Sequence, residues 1–171
     1  MKDNAPFLAN AMTYAEIMEA CASYIAVKRP TIKEPSAVCR LMAPLFIRSQ
    51  QEHIYALLLD TKSKMIGEPR ELFRGLLDSC PMHPREVFKL AIVESAAALI
   101  IVHNHPSGDP TPSREDIEAT RRLVEVSRIV GIPIFDHVIL GTHTQEEFSG
   151  NYISLRERNL VSFTASLHAK D

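Results

Sequence analysis

The segment Ala96-Ala-Ala-Leu-Ile-Ile-Val102 runs directly into His103-Asn-His105. An apolar run this short predicts a strand covered on both faces, and it cannot cross a membrane. We therefore predict a buried strand over Ala97–Val102. Side chains two positions apart point to the same side of a strand, so both histidines should face one side at its carboxyl end.

A helix start follows the histidines. After a loop rich in proline and glycine, Ser113-Arg-Glu-Asp116 has the spacing of a capping box. A carboxylate here would join His103 and His105 in an N,N,O ligand set, which leaves a fourth position open for water. This pattern predicts a hydrolytic metal centre. The alternative is structural: Ser113 and Asp116 cap a helix, and the histidines are ordinary residues at a strand end.

Predicted strands and helices alternate from Glu52 onward, which indicates an α/β class with a mixed sheet and flanking helices. Residues 67–82 carry no clear pattern, and a helix over Glu71–Leu77 is our hypothesis there. The other predicted elements are the strands Glu52–Leu59, Met65–Ile66, Ala97–Val102 and Ile134–Leu140, and the helices Pro84–Ser95 and Ser113–Val130.

Residues 1–48 are predicted to form a helical lead-in to a domain over residues 49–171. Thr13-x-x-Glu16 has capping-box spacing and predicts a helix to about Val27. A second helix should begin near Ser36, and Pro44 should end or kink it.

Composition is that of an ordinary globular protein, with 46% hydrophobic and 23% charged residues. The N-terminus lacks a basic segment followed by an apolar one, so the cytoplasm is the expected location and no membrane association is predicted. The cysteines show no CxxC spacing, which argues against a disulfide framework or a cysteine-rich zinc site. Buried thiols are expected at all of them: Cys21, Cys39 and Cys80.

The stretch Gln51–Leu160 resembles the JAMM (MPN+) metallopeptidase domain, in the form carried by bacterial RadC-like DNA repair proteins. The resemblance rests on His83-Pro-Arg-Glu-Val-Phe88, on His103–Asp116, on Asp136-His-Val-Ile-Leu-Gly141 and on the tail Ser154–Leu160. It implies the JAMM/MPN architecture, which is cytidine-deaminase-like. That family usually has glycine where Asn159 stands, and asparagine tolerates positive φ better than most residues.

The resemblance also implies roles for individual residues. His103, His105 and Asp116 would bind Zn²⁺, although Fe²⁺, Co²⁺ or Mn²⁺ also suits such ligands. Ser113 would donate to the developing oxyanion, and Glu52 would act as general base. The residues alone leave other glutamates as candidate bases: Glu86, Glu94 and Glu115.

The implied function is that of a zinc-dependent metallopeptidase or isopeptidase acting on a peptide or protein. The alternative is a non-catalytic JAMM-fold interaction module associated with DNA repair. A deaminase would need His-x-Glu and Pro-Cys-x-x-Cys, which do not occur, and nucleases more often use several carboxylates around two metals.

Nucleic-acid binding is not carried over from the family, because no basic stripe is evident and the net charge is −2. Residues 1–50 contain no glycine, so the helix-hairpin-helix common in such proteins is not found there. The sequence does not specify an oligomeric state.

Asp136-His137 leaves two interpretations open. The pair could point to opposite faces of a strand, or it could support the metal ligands from outside, since ligating histidines usually donate their second N–H to a carboxylate. Asp109 and Ser107 could equally support the ligands or cap the loop.

Overall fold

The described residues of this computed structural model form three helices and a five-stranded sheet. They are Thr13, Glu16 and residues 19–20, 29–47, 49–75, 82–141 and 151–163. In chain order the elements are α1 (Pro35–Phe46), β1 (Glu52–Leu59), β2 (Arg70–Gly75), α2 (Pro84–Val93), β3 (Ala98–His105), α3 (Arg114–Val130), β4 (Ile134–Gly141) and β5 (Tyr152–Ser154).

The strands lie in the order β2-β1-β3-β4-β5. Only the β3–β4 pairing is parallel, and the other three pairings are antiparallel. The predicted α/β class with a mixed sheet and flanking helices is therefore confirmed. Central strand β3 is buried along its length until His105, as its apolar run predicts.

Two apolar cores cover the sheet, one on each face. Helix α1 packs on the first face, where Met42 and Phe46 join Leu57 and Val102 in one cluster. Helices α2 and α3 pack on the second face in a separate cluster. Helix α1 thus shares its core with the sheet, although it falls within the predicted lead-in; the division at residue 48 stays a prediction.

The hypothesis of a helix over Glu71–Leu77 is wrong for its described part. Arg70–Gly75 is an edge strand paired with β1, and a register shift between Ile54 and Tyr55 interrupts the pairing. The local sequence pattern of this segment is weak, since Leu72 and Phe73 are the residues of β2 that pack against the described core. Hydrogen bonds from β1 therefore decide that it forms a strand. Predicted strand Met65–Ile66 is reduced to an isolated bridge between Met65 and Leu59.

Proline does not stop helix α1 where it occurs. Pro44 lies inside the helix, which ends two residues later at Phe46. A proline lacks the N–H that would bond four residues back, so the last turn is short of one hydrogen bond. The expected effect of Pro44 is thus confined to the helix end.

The first predicted capping box is present at the N-terminus. Thr13 donates from its N–H and hydroxyl to Glu16 at 2.6 and 2.9 Å, and the Glu16 N–H donates back at 3.2 Å. Most of the helix predicted after it lies outside the described residues, as do Cys21 and Cys80. Cys39 is a buried thiol in α1. No helix of the described chain is long and apolar enough to span a bilayer.

Candidate metal centre

Three elements bring the predicted site residues to one edge of the sheet. Glu52 begins β1, His103 and His105 end β3, and Asp116 lies in the first turn of α3. Glu52, His103 and His105 project on the face that α2 and α3 cover, because Ile54 pairs with His103 and residues two apart on a strand share a face. Asp116 reaches the same face from α3. Ligand atoms of Glu52, His103 and His105 all lie within 4.8 Å of one another.

Asp116 approaches both histidines from the helix side. Its Oδ1 lies 3.4 Å from Nδ1 of His103, and its Oδ2 lies 3.6 Å from Nε2 of His105. Burial alone would raise the pKa of Asp116, but contact with His105, the His103 ring and Ser113 lowers it well below its usual value. An ionised carboxylate therefore sits between the two rings.

His105 is oriented by the loop that follows it. Its Nδ1 lies 2.8 Å from the main-chain carbonyl of Asp109. A carbonyl only accepts, so Nδ1 carries a proton. Burial acts to lower the pKa of His105, but Asp116, the Asp109 carbonyl and Glu52 outweigh it and raise that pKa; in the neutral form of the ring the lone pair lies on Nε2. Asp109 supports the ring through its main chain, while its carboxylate accepts from the N–H of Thr111 at 2.9 Å and caps the loop.

His103 is fully buried, and neither of its ring nitrogens has a hydrogen-bond partner among the described residues. The same holds for Oε2 of Glu52. Burial lowers the pKa of His103 to about 4, against the opposing effect of Asp116, so the ring is neutral at pH 7. Neutral imidazole is the form that binds metals.

These groups fit a divalent transition metal. Unpaired buried polar atoms are costly, and a bound ion would satisfy them. Two imidazoles and carboxylate oxygens are a donor set that suits Zn²⁺ and its neighbours in the first row.

Ser113 occupies the N-cap of α3. Its hydroxyl donates to Oδ2 of Asp116 at 2.6 Å and accepts from the Asp116 N–H at 3.1 Å, while the Ser113 N–H donates to Oδ2 at 2.8 Å. The capping interpretation is thus confirmed. The single hydroxyl proton is directed at Asp116, and the oxyanion role of Ser113 stays a prediction.

Glu52 is the predicted base, and it lies beside the histidines. Burial and the charge of Asp116 raise its pKa, partly offset by His105; burial is the largest of these effects. The rival glutamates are occupied elsewhere or exposed. Glu86 pairs with Arg85 at 2.9 Å, Glu94 pairs with Arg70 at 2.8 Å, and Glu115 is exposed on α3.

Asp136 and His137 point to opposite faces of β4, as one interpretation predicted. Asp136 lies away from the histidines and accepts from the Ser154 hydroxyl at 2.6 Å and the Arg156 N–H at 3.1 Å. It therefore fastens the tail, whose Asn159 has a φ of 55°, a conformation that asparagine tolerates better than most residues. The proposed support of the ligands by Asp136 is not seen in these contacts.

His137 lies beside the site instead. Its ring stacks on that of His103, with the centroids 5.7 Å apart. The Thr120 hydroxyl is 2.6 Å from the Asp116 carbonyl and 2.7 Å from Nδ1 of His137. Its one proton must go to the carbonyl, so Nδ1 of His137 donates to the hydroxyl and Nε2 keeps a lone pair. Sequence reasoning missed Thr120, although it lies one helical turn after Asp116.

Gly141 and Asn151 hold the loop after the histidines in place. Asn151 donates from Nδ2 to the carbonyl of Gly108 at 2.8 Å and to that of Gly141 at 3.3 Å. A Cβ at Gly141 would overlap the Gly108 carbonyl, so only glycine fits. The hydrogen bonds of Asn151 and the close contact at Gly141 therefore fix the loop whose Asp109 carbonyl orients His105.

Comparison with known proteins shows a matching family and similar relatives. Residues 32–160 match the family described as the RadC-like JAB domain. The UPF0758 protein of Bacillus cereus strain AH187 is 47% identical over 133 residues, which cover 78% of this chain and 56% of that protein. The UPF0758 protein of Desulforamulus reducens is 42% identical over 146 residues, covering 85% of this chain and 61% of that protein. The names of these relatives state no reaction, and this chain spans little more than half of their length.

Proposed function

The chain belongs to the RadC-like JAB domain family, and on that premise we propose that it is a zinc-dependent metallopeptidase or isopeptidase. The convergence of Glu52, His103 and His105 within 4.8 Å carries the proposal. The substrate class is a peptide or isopeptide amide in a peptide or protein.

His103, His105 and Asp116 would hold the metal. A zinc ion held there would supply Lewis-acid chemistry and a bound water whose pKa falls from about 15.7 to about 7. Asp116 contributes the negative charge, and its low pKa keeps it ionised. The Nδ1–H of His105 stays on the Asp109 carbonyl, which leaves Nε2 for the metal.

Glu52 would accept the proton of the attacking water and return it to the leaving amine. Its raised pKa suits this task, because a base with a pKa closer to neutral passes the proton on more readily. Ser113 would stabilise the oxyanion after its hydroxyl turns from Oδ2 of Asp116 toward the substrate. One such donor typically contributes about 2.7–4 kcal/mol of barrier.

The second candidate function is a JAMM-fold interaction module without catalysis. The hydroxyl of Ser113 donates its proton to Oδ2 of Asp116 and not toward a substrate, which favours the non-catalytic function. A role in DNA repair would come through such an interaction, since no charge pattern of the chain argues for direct DNA contact.

Glu52→Gln and Asp116→Asn separate the two roles, measured by zinc content and by cleavage of a peptide library. Glu52→Gln should keep stoichiometric zinc and lose turnover by about a hundredfold or more, as expected when a general base is removed. Asp116→Asn should lose both. Glu118→Gln, at an exposed pair with Arg114, is the matched control.

Unchanged turnover in Glu52→Gln would remove Glu52 as the base. Stoichiometric zinc in the wild type without cleavage of any peptide would favour the interaction module. Loss of zinc in Glu52→Gln with retention in Asp116→Asn would exchange the roles of the two carboxylates.

A further inference from the structure

Asn104 lies between the two histidines in sequence, on the alternate face of β3, and it is fully buried. Its Oδ1 accepts the N–H of His53 at 2.7 Å, and its Nδ2 donates to the carbonyl of Gln51 at 3.1 Å. These two residues flank Glu52. One side chain of β3 therefore holds the main chain of β1 on both sides of Glu52.

The main-chain register explains why a side chain is needed there. The described pairing of β1 with β3 ends at Ile54 and His103. Continued by one residue at a time, it would place His53 opposite Asn104, Glu52 opposite His105 and Gln51 opposite Pro106. Pro106 has no N–H to offer the Gln51 carbonyl. The amide of Asn104 supplies that donor.

We propose that Asn104 is a positioning residue that fixes Glu52 relative to His103 and His105. It acts through the main chain of β1 and contacts neither metal nor substrate. The inference rests on the proposed function for its catalytic consequence, while the hold on β1 follows from the two hydrogen bonds themselves. Asparagine suits the position because it offers one donor and one acceptor without charge.

His53 strengthens this hold from the opposite side. Its ring is buried, and Nδ1 lies 2.7 Å from Oε1 of Glu71 on β2. Arg74 donates to the same carboxylate at 3.0 and 3.1 Å. The residue after Glu52 is thus fixed through its ring by β2 and through its N–H by Asn104, so loss of Asn104 should free the main chain of β1 on the β3 side only.

Asn104→Ala tests the proposal through three measurements on the whole chain. Amide hydrogen exchange of His53 should become faster by about tenfold or more, because the variant removes the acceptor of its N–H. The amides of residues 55–59 should keep their exchange rates, because their acceptors remain. Zinc affinity should change little, since the side chain of Asn104 bonds to the main chain of β1 and to none of the proposed ligands. The kcat for a peptide substrate should fall about tenfold or more, with KM within about threefold.

Two further variants sharpen the test. Asn104→Asp keeps the acceptor for His53 but loses the donor to Gln51, so it should retain the slow exchange of His53. Ser127→Ala is the matched control, because Ser127 is a buried polar residue of α3 whose hydroxyl donates to the Val124 carbonyl. It should leave His53 exchange, zinc affinity and kcat unchanged.

Unaltered His53 exchange in Asn104→Ala would overturn the proposal, and so would a loss of zinc affinity parallel to the loss of turnover. A kcat that falls no further than in Ser127→Ala would also overturn it. If the wild type binds zinc but cleaves no peptide, the proposed function fails by itself, and exchange and zinc affinity still decide whether Asn104 holds β1.

Discussion

At the scale of single residues, the buried ring of His103 has a cost that its surroundings do not offset. A fully buried polar group without partners destabilises a fold, and replacing it by an apolar group of similar shape can be neutral or stabilising. Neighbouring Asp116 is ionised, and its Oδ1 lies 3.4 Å from Nδ1 of His103 without forming a hydrogen bond. Stability at this position is therefore expected to depend on metal.

We predict that, in the presence of a chelator, the free energy of unfolding of His103→Leu lies within about 1 kcal/mol of the wild-type value. Leu99→Ala on the same strand should cost about 2–5 kcal/mol, because it leaves a cavity in the core. Urea denaturation of each protein measures both values. A loss in His103→Leu as large as that in Leu99→Ala would show that the ring stabilises the metal-free fold.

The sequence carries a signal for the candidate ligands but not for the residues around them. His103, His105 and Asp116 stand in a spaced motif, whereas Asn104 and Thr120 carry no signal of their own. The alternation of side chains along a strand places Asn104 on the face opposite the histidines. It says nothing about hydrogen bonds from a side chain to the main chain of the neighbouring strand, which are the bonds that Asn104 makes. The two interpretations of Asp136 stayed open for a related reason: its partners Ser154 and Arg156 approach it only in the folded chain.

At the scale of elements, local signals explain which parts of the fold could be predicted. β3 and α3 were predicted closely, since an apolar run and a capping box are encoded in consecutive residues. β2 was not, because none of its side chains is fully buried and the strand depends on hydrogen bonds from β1. Pairing between distant segments leaves no trace in local periodicity.

Helix α3 depends on Ser113 for its start. We predict that Ser113→Ala lowers the free energy of unfolding by about 0.5–2 kcal/mol, the usual cost of losing a cap. Ser113→Asp keeps an acceptor for the Asp116 N–H but places a second carboxylate beside it, so it should recover little. Thermal unfolding monitored by circular dichroism gives these values. Equal stability of wild type and Ser113→Ala would show that packing alone starts the helix.

Strand β2 is joined to β1 by the cluster around Glu71. Burial acts to raise the pKa of Glu71, but Arg74 and His53 outweigh it, so the pKa falls below its usual value of 4.5. An acid with a lowered folded-state pKa stabilises the fold above its unfolded-state pKa and loses that contribution as pH falls through the folded value.

The stability difference between wild type and Glu71→Gln should therefore be largest near pH 7 and shrink below about pH 4. Urea unfolding of both proteins between pH 3 and 7 measures it. Glu118→Gln, at an exposed ion pair, is the control and should follow the wild-type curve. A difference that does not change with pH would mean that Glu71 contributes by packing alone.

At the scale of the whole molecule, the site joins α3 to two strands of the sheet, so metal binding should stabilise the entire domain. A ligand that binds only the folded state adds about 2.7 kcal/mol at a concentration a hundred times its Kd. We predict that a chelator lowers the Tm of the wild type and leaves that of His105→Ala unchanged. Calorimetry with and without added zinc checks this; an equal shift in both proteins would place the zinc elsewhere.

The two outer strands of the sheet bear on how the molecule behaves in a crowded solution. Exposed strand edges invite pairing with other chains, which leads to aggregation. Here β5 is only three residues long, and β2 carries Arg70, Glu71 and Arg74 beside an interrupted pairing. Short length, charge and irregular pairing all hinder edge-to-edge growth. A sheet with such protected rims can keep a strongly apolar centre and still resist fibril formation.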